Sequence, residues 1–225
     1  ILKFMPDLLT LGDQPLLALL SPALLARLEE MATRVRYRDG VMIHGLGDDK
    51  PGLSIVRDGA VRFAKHTPEG GEVTVSILGP GHSFGEATLF AGMGRAYDAI
   101  AVGDTVVDQI SKAKFDRILE AEPELARALL AATTRRLYSV LGFLDDLRTL
   151  PLEARVAKLI IGIADVAKTQ GVVECRQSDL AFTLGVSRVS VGKALARLQD
   201  KRVIRLGYSR IEILSRAALA KEAAG

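Results

Sequence analysis

The chain holds a single cysteine in 225 residues and no tryptophan, and aromatic residues make up 5% of it. A lone Cys175 forms no internal disulfide, and by itself it supplies neither a zinc knuckle nor an iron–sulfur cluster. Long apolar runs are missing too. The best candidate, Leu152–Val166, is interrupted by Glu153, Arg155, Lys158 and Asp165, which excludes a membrane span there. The sequence as given does not open on a basic leader, an apolar stretch and a small-residue cleavage site. The expectation is a protein of the reducing cytoplasm with no membrane partner. The histidines, His44, His66 and His82, have no paired spacing, so no metal site is expected, and surface or β-turn positions suit them. What is present is 48% hydrophobic and 25% charged residues, enough for one large domain or two small ones and too apolar for a disordered chain.

Charge is unevenly spread. Residues 151–225 carry 13 Lys+Arg against 7 Asp+Glu, and residues 1–150 carry 17 against 20. A mildly acidic body with a basic end is a pattern that points toward nucleic acid.

Ser21-Pro22 ahead of Ala23–Met31 reads as an N-cap with proline at the first helical position. From Val35 to Ile110 short β-rich runs alternate with the turn signals Asp39-Gly40, Asp58-Gly59, Gly70-Gly71, Gly79-Pro80-Gly81 and Gly103-Asp104. Val73, Val75 and Ile77 share one face of an alternating run. Many short strands of this kind predict a jelly roll, sandwich or barrel. Helical periodicity returns at Lys112–Leu119. After Glu122-Pro123-Glu124, residues Ala126, Leu130, Thr133, Leu137, Val140, Leu144 and Leu147 fall at alternating spacings of four and three. That is the seam of a two-stranded coiled coil, and it predicts a homodimer joined through Leu130, Thr133, Leu137, Val140 and Leu144. Leu141 and Phe143 widen the apolar face, so the helix can pack on the β domain as well. Pro151 ends it.

The remainder reads as helix Leu152–Lys168, helix Gln177–Leu184, a turn at Gly185-Val186, helix Ser187–Asp200, and two short strands, Val203–Leu206 and Arg210–Leu214. This is the layout of a winged helix-turn-helix. Leu180, Ala181 and Leu184 face inward from its first helix and Val191, Leu195 and Leu198 from its second, while Ser187 caps the second. The start of that helix presents Arg188, Val189, Ser190 and Lys193. Arginine reaches guanine O6 and N7 together and valine meets a thymine methyl, so these side chains suit a major groove. Arg176, Arg202, Arg205 and Arg210 are expected to flank it on phosphates, with Ser178 and Ser187 beside them.

The run from Gln177-Ser178-Asp179-Leu180-Ala181 through Leu184-Gly185-Val186-Ser187-Arg188-Val189-Ser190-Val191-Gly192-Lys193 to Leu198 resembles the helix-turn-helix of the CRP/FNR (cyclic-AMP receptor protein) superfamily of bacterial transcription regulators. The best-known member reads Ser-Arg-Glu-Thr-Val-Gly-Arg in its recognition helix. Arg188 and Gly192 match it, whereas Val189 replaces the glutamate and Lys193 the second arginine. The likeness implies that Arg188 reads a base and that the operator differs, because Val189 cannot accept a proton from cytosine.

Phe84-Gly85-Glu86, Leu89-Phe90, Gly92 and Arg95-Ala96 are similar to the phosphate-binding cassette of the same family. There, as the likeness implies, the glycine backbone and a short helix cradle a cyclic phosphate, Glu86 takes the ribose hydroxyl and Arg95 pairs with the phosphate. Such an arrangement makes physical sense as an anion site. A mutual Glu86–Arg95 ion pair would retain both residues without a ligand. Arg135-Arg136-Leu137 also matches, but Val140 and Leu141 stand where the cyclic-AMP sensor carries adenine-reading hydroxyls. The effector expectation is therefore open: cyclic AMP, another cyclic nucleotide or anion at Gly85, Glu86, Arg95, Ala96, Arg136, Val140 and Leu141, or none. Haem and iron–sulfur clusters are not expected.

The fold expectation is α+β, with a cyclic-nucleotide-binding-like jelly roll at 1–120, a dimerisation helix and hinge at 121–150, and a winged helix-turn-helix at 151–225. The function expectation is a homodimeric regulator binding double-stranded operator DNA, with RNA polymerase as a further partner, and not an enzyme. The alternatives are a cyclic-nucleotide-independent regulator and a cyclic-nucleotide module without DNA. Residues 151–225 argue against the latter.

Overall fold

The computed structural model describes residues 14–66, 72–166, 169 and 171–225. The chain divides into two compact units, one ending at Arg136 and the other comprising Leu137–Gly225. A short 3-10 helix, Leu16–Leu19, leads into α1 (Pro22–Met31), whose N-cap Ser21 accepts from the Leu24 N–H. Then come β1 (Thr33–Tyr37), β2 (Met42–His44), β3 (Gly52–His66), β4 (Glu72–Leu78), β5 (Ser83–Phe84), α2 (Glu86–Phe90) and β6 (Asp98–Ser111). These strands pair antiparallel in the order β1-β6-β3-β4, with β2 on β6 and β5 on β3.

β3 and β6 are longer than the short runs the turn signals suggest. Asp58-Gly59 and Gly103-Asp104 lie inside them. The β3–β6 register shifts at Val56/Asp58 and again at Asp58/Ala60, so bulges absorb the extra residue and bend the strand without ending it. Alternation gives the sheet two apolar faces. Val56, Val61, Leu78, Phe84, Ala99 and Val107 fill the interior of the roll. Leu53, Ile55 and Ile110 point the other way, onto Leu24 and Leu28 of α1, Phe115 and Ile118 of α3 (Lys112–Ala121), and Leu125 and Leu129 of α4 (Pro123–Thr149). The Gly70-Gly71 turn signal and the Val73 side chain fall outside the described residues.

α4 runs for 27 residues. Its first half buries Leu125, Ala128, Leu129 and Ala132, while Leu130, Leu137, Leu141, Leu144 and Leu147 stay exposed. The packing reading holds for the buried face, and the leucines of the expected seam lie exposed on another face of the same helix. Thr149-Leu150-Pro151 ends it.

The second unit continues with α5 (Leu152–Val166), β7 (Val172–Val173), α6 (Gln177–Thr183), α7 (Arg188–Asp200), β8 (Ile204–Gly207), β9 (Arg210–Ile213) and α8 (Arg216–Glu222). The expected end of α5 at Lys168 lies outside the described residues. Two elements escape the sequence reading. β7 adds a third strand to the wing, in the order β7-β9-β8. α8 is capped by Ser215, whose hydroxyl accepts from the Ala218 N–H, and it buries Leu219 completely. Two residues are too few for a periodicity signal, and the polar Ser215-Arg216 start hides a seven-residue helix. The unit closes around one core that includes Val156, Leu159, Ile160, Leu180, Leu195 and Ile211.

Candidate DNA interface and effector site

In the second unit, Gly185 turns the chain between α6 and α7 at φ +64°, a left-handed conformation that glycine adopts without strain. Leu180, Ala181 and Leu184 on one side and Val191, Leu195 and Leu198 on the other are buried, as the pattern requires. Ser187 caps α7 by accepting from the Ser190 N–H at 3.1 Å, and the two serine hydroxyls lie 2.9 Å apart. Both hydroxyls are thus engaged with the helix start. Arg188, Val189 and Lys193 stand exposed, and neither Arg188 nor Lys193 has a hydrogen-bond or ion-pair partner among the described residues.

A cleft of about 580 Å³ separates the start of α7 from the wing, lined among others by Arg176, Ser178, Arg188, Tyr208 and Arg210. Three guanidinium-bearing residues thus share one concave surface. Ser178 Oγ is 3.3 Å from Asp179 Oδ1, and Asp179 accepts the Arg176 backbone N–H, fixing the start of α6. The two other flanking arginines lie outside this cleft. Arg205 pairs with Glu212 across the wing hairpin at 2.9 Å, because β8 and β9 register them side by side. Arg202 follows the far end of α7, about 20 Å from Arg188 along the helix axis at 1.5 Å per residue. On the wing, Arg210 has no ion-pair partner among the described residues. Cys175 also lines the cleft, yet it is buried, and burial together with Asp179 pushes its thiol up to about 12, so it stays protonated and unreactive.

In the first unit, Gly85 caps α2 at φ +107°. A Cβ there would overlap both the Gly52 carbonyl oxygen and Arg95 Nη1, so only glycine lets the arginine lie against this backbone. Arg95 Nη2 donates to the Gly52 carbonyl at 3.2 Å, and its buried Nε has no acceptor among the described residues. Burial lowers its pKa, opposed by the charges of Asp48 and Glu86. Glu86 accepts the Ser83 hydroxyl, and no ion pair joins it to Arg95 among the described residues, so the Glu86–Arg95 bridge is not what keeps these residues in place. Arg136 Nη2 donates to the Ser83 carbonyl at 3.3 Å, which brings α4 to the cassette. Ala96 is exposed, Val140 half-buried and Leu141 exposed; the last two lie beyond the end of the first unit.

Two of the histidines sit where surface or β-turn positions were expected, and one does not. His66 is exposed and 3.3 Å from Asp98, and His82 sits in a turn with Nδ1 3.1 Å from the Gly79 carbonyl, although it is buried. His44 is neither a turn nor a surface residue: it ends β2 and packs its ring on Phe84 and Phe63. A β-bulge in the β2–β6 pairing between Met42 and His44 sets its direction, and no sequence pattern announced it.

The cyclic nucleotide-binding domain family matches residues 34–122, and the Crp-like helix-turn-helix domain family matches residues 154–222. The chain is 31% identical over 192 residues to the Cyclic AMP receptor protein of Thermus thermophilus, covering 84% of this chain and 87% of that one. It is 27% identical over 208 residues to a CRP-like cAMP-activated global transcriptional regulator of Mycobacterium tuberculosis, covering 90% and 93%. A solved CRP-family transcriptional regulator, also from Thermus thermophilus, superposes with a TM-score of 0.63 at 29% identity, over 85% of this chain and 97% of that one. A cyclic-nucleotide-binding roll, long helices and a helix-turn-helix in this order define a DNA-binding transcriptional regulator and not an enzyme. The chain belongs to the CRP/FNR superfamily. No helix among the described residues is long and apolar enough to cross a membrane.

Proposed function

We propose that the protein works as a homodimer on a roughly palindromic operator, in the bacterial cytoplasm with RNA polymerase as a further partner, each subunit placing α7 in one major groove. The observation that carries this is the start of α7: Arg188 and Lys193 are exposed, and unpaired among the described residues, beside a cleft whose other wall bears Arg210. Arg188 reads a base, Val189 contacts a thymine methyl, and Arg176 and Arg210 hold phosphates. Ser187 and Ser190 serve the helix cap first.

The test uses a site selected by the full-length protein from random duplex DNA. Arg188→Ala is expected to cost about 1–3 kcal/mol on that site and to relax selectivity at one base pair. Arg210→Ala is expected to weaken all sequences alike and to reduce the salt slope of log K by about 1. Equal, sequence-independent losses in both variants would remove Arg188 from base reading.

The cassette fits an anion in part. Among the described residues the buried Arg95 Nε lacks an acceptor, and Gly85 leaves room for the guanidinium, while Asp48 and Glu86 already offset its charge. Cyclic AMP or another cyclic nucleotide would be held at Gly85, Glu86 and Arg95, with Arg136 beside them, but Val140 and Leu141 offer no hydrogen bond to a base. We therefore expect the ligand-free dimer to bind its operator appreciably, and saturating cyclic AMP to raise that affinity less than about tenfold, a coupling below ~1.4 kcal/mol. A hundredfold enhancement that disappears in Arg95→Ala would establish an ordinary cyclic-AMP sensor instead.

A further inference from the structure

The wing hairpin ends in a turn that its residues do not favour. Gly207 of β8 pairs with Arg210 of β9, so only Tyr208 and Ser209 lie between the strands. Two-residue hairpin turns prefer glycine and asparagine, because they need left-handed backbone. Here Ser209 takes that conformation, at φ +51°, with a bulky tyrosine beside it. Neither residue gains packing in return. Both are exposed, and Tyr208, at 98%, has the most exposed large apolar side chain among the described residues. Local stereochemistry and burial both count against this pair, which leaves a contact outside the chain as the reason for it.

The surroundings of Tyr208 define that contact. It borders the cleft lined by Arg176, Arg188 and Arg210. A Cβ at Gly207 would stand 2.8 Å from Arg210 Cγ and Nε, so the arginine lies back along the hairpin and the tyrosine side chain projects from the turn. On a phosphate only the phenolic O–H would be used, and the ring would stay in water. A ring with a polar end is used whole where the walls are apolar and acceptors lie at the floor. The minor groove of duplex DNA has this form: it is about 6 Å wide, with adenine N3 and thymine O2 as acceptors. A G·C pair adds the guanine amino group, a donor that occupies the floor and cannot accept the phenolic proton.

We propose that Tyr208 is a specificity-determining residue, set by the wing into the minor groove next to the major groove that α7 enters. Its O–H donates there to adenine N3 or thymine O2. The adjacent groove lies about half a helical turn, or ~5 base pairs, from the bases at α7. Each half-site then prefers A·T pairs at a position that α7 does not touch. This rests on the reading of α7 as the DNA-facing helix and adds to it a second zone that can be read out separately.

The test titrates the full-length protein on synthetic duplexes built from the site it selects, with Arg188→Ala marking the base pair that α7 reads. The flanking pairs about half a turn away carry A·T, G·C or inosine·cytosine. Inosine·cytosine keeps the major-groove edge of G·C but lacks the amino group in the minor groove. Wild type is expected to bind A·T and inosine·cytosine flanks alike, and G·C flanks about fivefold more weakly. Tyr208→Phe removes only the O–H and is expected to shrink that difference below about twofold. Tyr208→Ala is expected to abolish it and to lower affinity on every duplex, because the ring is lost as well. Both positions of change are solvent-exposed in the free protein, so thermal melting should match wild type. Inosine·cytosine behaving like G·C overturns the proposal. So does a preference that survives in Tyr208→Phe, or wild type showing none. Those results would leave selectivity at the Arg188 base pair intact, whereas failure to select any site would overturn the α7 reading and this proposal with it.

Discussion

Leu137→Asp is expected to give a folded monomer whose operator affinity falls at least a hundredfold. Leu137 is 54% exposed in the single chain, and Leu130, Leu144 and Leu147 on the same stripe are 69%, 42% and 40% exposed. An exposed leucine row at alternating four and three spacing on a 27-residue helix is the pattern of a coiled-coil partner surface. A carboxylate at its centre would have to be desolvated in a dimer and stays in water in a monomer. Because Leu137 belongs to none of the three buried cores, the variant's own stability should change by no more than about 0.5 kcal/mol. A monomer holds only one half-site, which removes the second reading helix that the dimer supplies. Sedimentation equilibrium and operator titration on the same sample check this. A variant that sediments as a dimer would show that the stripe is not the interface.

Asp108→Asn is expected to destabilise the first unit by about 3 kcal/mol. The Asp108 side chain is 1% exposed and is gripped from both sides: Arg34 Nε donates to Oδ1 at 2.8 Å, Arg34 Nη2 to Oδ2 at 3.1 Å, and Arg57 Nε also to Oδ2. Burial alone would raise its pKa. The hydrogen bonds from Arg34 and Arg57, followed by their charges, outweigh it and hold the carboxyl below its usual range. Removing the charge leaves Arg57, 17% exposed, facing an amide, while Arg34 at 54% exposed recovers water, which keeps the cost below that of a fully buried pair. Since the folded-state pKa is the lower one, this stabilisation is complete above the unfolded pKa of about 3.9 and fades as pH falls through the folded value. Denaturation curves of wild type and variant should therefore differ at pH 7 and converge below about pH 4. Curves that stay parallel down to pH 3 would show that the carboxylate charge is not what the arginines hold.

Local patterns carried most of the architecture. Glycine at the α6–α7 turn, serine before α1 and α7, proline at the end of α4, and apolar residues at helical or alternating spacing act within a few residues of chain. Their consequences are legible without the rest of the fold. The helix-turn-helix core at Leu180, Ala181, Leu184, Val191, Leu195 and Leu198 was readable for that reason, and so was the exposed start of α7. The two-sided use of α4 was readable only as a pair of options. Periodicity shows that a helix has apolar faces, but not which one the neighbouring sheet covers.

What tertiary structure decided involves pairs far apart in sequence. Asp58-Gly59 reads as a turn in isolation and becomes a bulge once β6 pairs along the whole of β3. Arg205 reads as a free phosphate contact until the wing registers it beside Glu212. Arg34, Arg57 and Asp108 meet only because β1, β6 and the β3 strand align, and no spacing between them encodes that. His44 is the clearest case: a residue with no motif becomes a half-buried ring because a bulge turns it toward Phe84 and a cavity shared with Arg95. The sequence alone therefore determined the kind and order of most elements and the exposed start of α7, since these rest on local stereochemistry and amphipathic spacing. Strand register and burial, which depend on the whole chain at once, decided which charges are free and which polar atoms still lack a partner.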